Sequence, residues 1–129
     1  MDLGKGDEGI RQQPQVQLIY TPRFRSRIAR IHGYISEVLN SPKAADSIID
    51  SILSSCELLK QEPYMGIMIR SAKRPYAGMR YIVSGMYLIL YKIDHDRVMV
   101  SSIFDTRTEE AARFLDRDIR EASSEKDSD

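Results

Sequence analysis

The densest group of side chains able to do chemistry is Arg70, Lys73, Arg74 and Arg80, with Tyr76 among them. Guanidinium and ammonium groups this close together can hold phosphate, and a neighbouring tyrosine can stack on an unpaired base. The group falls on a loop and an adjoining strand, where binding residues often sit on a rigid scaffold. The plainer reading is a flexible, exposed loop. A second group, Arg23, Arg25, Arg27 and Arg30, meets no acid before Glu37. On a helix, Arg23, Arg27 and Arg30 share one face, and Tyr34 continues it. That face is either a ridge for an acidic partner or a nucleic-acid backbone, or an ordinary solvated surface. The third place is Asp105-Thr106-Arg107. Asp105 reads as a general base or, more plainly, as a residue that starts a helix. Arg107 reads as a contact to phosphate or to a target side chain, or as part of a helix cap.

The remaining reactive residues point to packing. Cys56 falls on the apolar face of an expected helix and reads as a small core residue. A single cysteine excludes an internal disulfide and suits a reducing cytoplasm. Neither histidine is placed to activate it. His95 lies between two aspartates in a tight turn, and His32 shares a helix with arginines. Two scattered histidines and one cysteine do not make a zinc site, so neither metal nor cofactor is expected. Tyr81, Tyr87 and Tyr91, with Met79, Met86 and Met99, read first as sheet packing. An exposed subset of them would form an interface.

The elements that must position these residues follow from periodicity. Residues 1–14 mix Gly, Gln and charge and read as disordered. Gln15 to Tyr20 alternates as a strand. Thr21-Pro22 opens a helix, with Thr as N-cap and Pro where its missing N–H costs nothing. Phe24, Ile28, Ile31, Ile35 and Val38 then give one apolar stripe over about 17 residues. Asn40-Ser41-Pro42 repeats the punctuation, and Ala45, Ile48, Ile49, Ile52, Cys56 and Leu59 line a second helix ending near Gln61. The short connection makes an αα-hairpin. Ile67 to Ile69 reads as a brief strand or as loop. Met79 to Phe104 reads as a three-strand antiparallel meander turning at Ser84-Gly85 and Asp94-His95-Asp96, with Met79, Tyr81 and Val83 alternating along its first strand. Met86 to Ile93 is apolar on both faces, as in a covered central strand. Thr106-Arg107-Thr108-Glu109 matches a capping box before a terminal helix reaching about Arg120. Residues 121–129 read as a frayed acidic tail, leaving 15–120 as a single α+β domain.

Composition bounds the answer further. At 42% hydrophobic and 29% charged, 129 residues can bury one core. No apolar run approaches the roughly 18 residues that span a bilayer, and the N-terminus lacks a secretory h-region. A net charge of zero hides an asymmetry: residues 15–105 carry 12 Lys/Arg against 8 Asp/Glu, while both ends are acidic. A mildly basic body suits RNA, the acidic part of a protein partner, or neither.

The order strand, helix hairpin, antiparallel sheet, short helix resembles the RelE/ParE toxins of bacterial type II toxin–antitoxin pairs, the plasmid-stabilisation type. The likeness is carried by YISEVLNSPKAADSIIDSI, by the Pro63-x-x-Gly66 turn, and by Arg80, Tyr87 and Tyr91 ahead of a valine-rich last strand. It covers about residues 15–117 and implies a RelE/ParE-like fold, a cognate antitoxin and a toxin–antitoxin hetero-oligomer. RelE-like members cleave messenger RNA in the ribosome, and ParE-like members poison DNA gyrase. Cleavage by 2′-hydroxyl attack needs a base, an acid and a cation for the phosphorane. This chain departs from the cleaving pattern, because Asp105 takes the place of a family histidine and no tyrosine follows Tyr91.

Three expectations follow from the resemblance. The favoured one is a ParE-like toxin that binds and poisons gyrase without chemistry of its own. The alternative is a metal-independent, RelE-like mRNA endoribonuclease using Lys73, Arg74, Arg80, Asp105 and Arg107, with Arg70 and Tyr76 contacting RNA. The third is a degenerate member that binds antitoxin and is harmless.

Overall fold

The computed structural model describes residues 16–69, 76–113 and Leu115. Five strands form one mixed sheet in the order β1-β5-β4-β3-β2. They are β1 (Gln17–Tyr20), β2 (Ile67–Met68), β3 (Arg80–Ser84), β4 (Tyr87–Asp94) and β5 (Arg97–Asp105). The expected meander is the antiparallel centre of this sheet. β1 adds to it in parallel, pairing Leu18 with Val98 and Tyr20 with Val100. β2 closes the other edge, pairing Ile67 with Tyr81. The expected N-terminal strand, helical hairpin, meander and terminal helix are all present; what the sequence left open is where β1 and β2 join the sheet, because partners distant in sequence leave no local pattern.

Helix α1 (Pro22–Gly33) begins at the expected cap, where the Thr21 hydroxyl accepts from the Phe24 N–H at 3.2 Å. The same hydroxyl donates to the Ser101 carbonyl at 2.9 Å. That carbonyl is within reach because the β4–β5 register slips at Leu90/Tyr91, leaving Ser101 as the extra residue. Helix α1 continues into a π-helical turn, Tyr34–Val38, in which the Leu39 N–H reaches the Tyr34 carbonyl. The wider turn breaks the count of 3.6 residues. Val38, expected on the buried stripe, is instead 64% exposed, whereas Phe24 and Ile35 are buried. Asn40 takes a left-handed φ of 53° and ends the segment, a conformation asparagine tolerates. Helix α2 (Pro42–Glu57) then runs back and finishes in a 3-10 turn, Leu58–Lys60.

The hairpin covers one face of the sheet. Phe24, Ile52, Cys56 and Leu59 pack there on Ile82, Ile89, Tyr91, Val98 and Val100. On the other face Ile69, Met79, Leu88, Leu90 and Phe104 pack against Ala111 and Leu115 of a C-terminal helix, α3, described over 109–113 and at Leu115. Alternate residues of β4 thus enter two cores, which explains its continuous apolar run. Strand β3 departs from its expected alternation: Ile82 enters the hairpin-side core and Val83 is exposed, while Met79 and Tyr81 join the other core. The capping box is also displaced. Thr108, not Thr106, caps α3, accepting from the Ala111 N–H at 3.2 Å while its hydroxyl donates to the Asp105 carbonyl at 2.7 Å. Thr106 is used elsewhere: its N–H and hydroxyl both reach the Met86 carbonyl, at 2.8 and 2.9 Å. The expectations for residues 1–14 and for the tail beyond Leu115 lie outside the described residues. Among the described residues no helix is long and apolar enough to cross a membrane.

Candidate functional site

At the end of the sheet where β5 runs into α3, the two helices and the β3–β4 turn stand apart and leave a groove of about 510 Å³. Helix α1 and its π turn supply Arg30, Ile31, Tyr34 and Ile35, and the start of α2 supplies Ser41, Ala44 and Ile48. Met86 and Tyr87 come from the β3–β4 hairpin, and Asp105, Arg107 and Thr108 from the β5–α3 turn. Large apolar side chains remain in water around it: Tyr34 is 54% exposed, Leu39 56% and Met86 45%. The π turn leaves Tyr34 and Leu39 in water, and the double bond from Thr106 to Met86 ties the far wall together. An apolar concavity of this kind has the shape and surface that suit binding.

The charges in the groove are ordered. Arg107 donates to Asp105 from Nε to Oδ1 at 3.0 Å and from Nη2 to Oδ2 at 2.7 Å. The Arg107 backbone N–H also reaches Oδ1, at 2.9 Å. These bonds to Arg107 hold the Asp105 carboxyl below the usual carboxylate range and raise Arg107 in turn. A carboxylate so committed is a weak general base at neutral pH. Tyr87 pairs with Asp105 across the sheet, and burial, then the Asp105 charge, pushes its phenol up.

The residues singled out in the sequence scatter. Arg70, Lys73 and Arg74 lie outside the described residues, and Tyr76 is a half-buried turn residue against the second core. Arg80 is a brace: its Nη1 donates to the Gly66 carbonyl at 2.9 Å and to that of Tyr64 at 3.2 Å, and its guanidinium lies 5.0 Å from the Tyr64 ring. The Tyr91 hydroxyl, buried in the sheet, holds the same turn. It donates to the Pro63 carbonyl at 2.7 Å and accepts from the Gly66 N–H at 2.9 Å. The arginine ridge on α1 divides. Arg23 is exposed, while Arg27 turns inward to Glu110 of α3 by two 3.2 Å bonds, donates to the Ile103 carbonyl, and lies over the Phe104 ring. Arg30 alone of the three lines the groove, to which Asp105 and Arg107 also contribute.

His95 sits past the far end of β5, roughly 25–30 Å from Asp105 at about 3.3 Å per residue. His32 is paired with Asp46 at 2.7 Å. Burial pushes the Cys56 thiol up to about 12, which makes it unreactive. The meeting of Arg30, Tyr34, Asp105 and Arg107 with an apolar floor was missed in the sequence. Its one local signal is the exposed apolar run Val38-Leu39 before Asn40-Ser41-Pro42.

Residues 18–110 match the family described as the ParE toxin of type II toxin–antitoxin systems. No curated protein matches the sequence significantly. Among solved structures, a chain of the chromosomal ParDE toxin–antitoxin system from P. aeruginosa superposes with a TM-score of 0.60 at 16% identity, over 70% of this chain and 96% of that one. A chain of the RelBE2 toxin–antitoxin complex from Mycobacterium tuberculosis superposes with a TM-score of 0.53 at 19% identity, over 70% and 98%. These likenesses show a shared fold.

Proposed function

This chain belongs to the ParE toxin family of type II toxin–antitoxin systems, and from that premise we propose that it acts by binding: it poisons DNA gyrase, and an antitoxin neutralises it by filling the groove beside Arg30 and Arg107. The observation that carries the reading is the pairing of Asp105 with Arg107. At the place where cleaving relatives of the wider superfamily keep a histidine, this chain has a carboxylate already bound by the neighbouring cation. Tyr87 and Tyr91 are buried with their phenols raised, so neither is a ready proton donor. Arg80 is committed to carbonyls and not to a phosphate. An apolar groove with a charged edge suits a protein partner better than a nucleotide chain.

The test is a supercoiling reaction with purified gyrase, relaxed plasmid and the purified chain. Loss of supercoiling with accumulation of linear DNA after protein denaturation supports the reading. Undisturbed supercoiling, together with cut messages in cells expressing the chain, moves the assignment to the endoribonuclease alternative and to Lys73, Arg74, Arg80, Asp105 and Arg107.

A further inference from the structure

The corner between α1 and α2 is built in one backbone register while its residue types fit another. In a continued α-helix the stripe of Phe24, Ile28, Ile31 and Ile35 passes next to Val38, seven residues past Ile31. The turn Tyr34–Val38 is π-helical instead, with the Leu39 N–H on the Tyr34 carbonyl at 3.2 Å. Such a bond spans one residue more than an α bond, so the next place on the stripe moves on to Leu39. Leu39 lines the groove, and Val38 turns to water.

Neither register serves both residues. Leu39 is 56% exposed in its place and Val38 is 64% exposed, so burial favours the π register only slightly. The other support is the Ser41 N–H, which reaches the Ile35 carbonyl at 3.2 Å. In an α register that carbonyl goes to the Leu39 N–H, four residues on, and the Ser41 N–H is released. Leu39 thus keeps a bond with a different acceptor, and the bond from Ser41 separates the two arrangements. No side chain caps either the π turn or the start of α2, so nothing further pins the corner in one of them. The residue freed from the turn joins the connection at Asn40, which already holds a left-handed φ of 53°.

We propose that this corner is a two-register switch on the rim of the groove. In the π register Leu39 holds the stripe position and the Ser41 N–H is bonded. In the α register the smaller Val38 takes that position and the Ser41 N–H opens. An occupant of the groove selects the register whose rim fits it, because a ligand shifts such an equilibrium only by its differential affinity for the two states. That selection rests on reading the groove as a binding surface, whereas the switch itself does not.

The experiment is NMR relaxation dispersion and amide exchange on the purified full chain. Helix register shifts fall in the microsecond-to-millisecond range that dispersion detects, and a minor register of about 1–10% is enough. Wild type should show dispersion at amides from Tyr34 to Ser41 and none in the middle of β4. Leu39→Ser removes the reward for the π register, so the Ser41 amide should exchange with solvent about tenfold faster, as the partial burial of one leucine implies. Val38→Ser removes the reward for the α register, so the dispersion should vanish and the Ser41 amide should slow. Valine and serine have similar helix propensities, which keeps the comparison to burial. Thermal unfolding of each variant checks that the fold is intact, and the wild-type dispersion decides alone where a variant does not fold. Flat wild-type dispersion over Tyr34 to Ser41 overturns the proposal. Ser41 rates that fail to move in opposite directions in the two variants also overturn it, since a common rise marks general loosening. Neither gyrase nor an antitoxin takes part, so failure here leaves the toxin reading standing, and a harmless chain can still show the switch.

Discussion

Replacing Tyr91 with Phe separates bracing from chemistry at a residue that both readings of the family motif would claim. Tyr91 is fully buried, and its hydroxyl holds the Pro63–Gly66 turn by donating to one carbonyl and accepting from one N–H, at 2.7 and 2.9 Å. Phe fits the same ring space but leaves the buried Gly66 N–H and the part-buried Pro63 carbonyl without their partner. Each orphaned group costs about 1–3 kcal/mol, and partial relaxation of the turn recovers some of it, so a loss of about 2–4 kcal/mol is expected. At roughly 4 °C per kcal/mol for a domain of this size, the midpoint falls by about 8–16 °C. Urea unfolding followed by far-UV circular dichroism would measure the loss. In parallel, growth after induction at a low temperature, where the variant is still folded, would measure toxicity. A brace predicts lower stability with toxicity per folded molecule unchanged. Stability within about 0.5 kcal/mol of wild type, or full stability with abolished toxicity, would refute the reasoning and return Tyr91 to the list of reacting groups.

Other expectations share this logic. Gly66→Ala should be at least as harmful, about 2 kcal/mol or more, because an added Cβ would meet the Tyr91 hydroxyl and come within 2.8 Å of the Tyr81 carbonyl; a neutral result by thermal unfolding would contradict that packing. Arg27→Ala should cost about 1–2 kcal/mol, and a cycle with Glu110→Ala should show coupling of roughly 0.5–1 kcal/mol, tying α1 to α3. Ser102→Ala should be neutral or mildly stabilising, since the Ser102 hydroxyl is buried without a partner among the described residues. The folded-state pKa of Asp105 is depressed by Arg107, so its contribution is present above the ordinary value near 4 and is lost as pH falls through the folded value. The stability gap between wild type and Asp105→Asn should accordingly be widest above about pH 4 and shrink below it; a gap constant with pH would contradict the pairing.

Local physics made much of the fold legible. Thr21-Pro22 announced its helix because cap and proline act within one turn, and the apolar run of β4 announced a strand buried on both faces. What failed was non-local or backbone-borne. The parallel partner of β1 is some eighty residues away, Leu18 against Val98, and nothing at either strand names the other. Val38 was misplaced because a π turn shifts the helical count, and backbone hydrogen bonding is invisible in the residue types. Thr106 and Thr108 were confused because both fit a cap, and only the bond from Thr106 to Met86 tells them apart. The candidate site was less legible than the fold. Arginines that look alike in sequence became a brace at Arg80, a strut at Arg27 and, at Arg30, a charge without a partner among the described residues, according to the carbonyls and carboxylates that folding brought to each.

The central claim, that this toxin acts by binding gyrase, is tested most directly by inducing the chain alone in a bacterium and following labelled thymidine and labelled methionine incorporation in one culture. A parallel culture would carry Asp105→Ala. The account predicts that thymidine incorporation falls first and that Asp105→Ala remains toxic. Methionine incorporation falling first, with toxicity lost in Asp105→Ala, would contradict it and make Asp105 a reacting group.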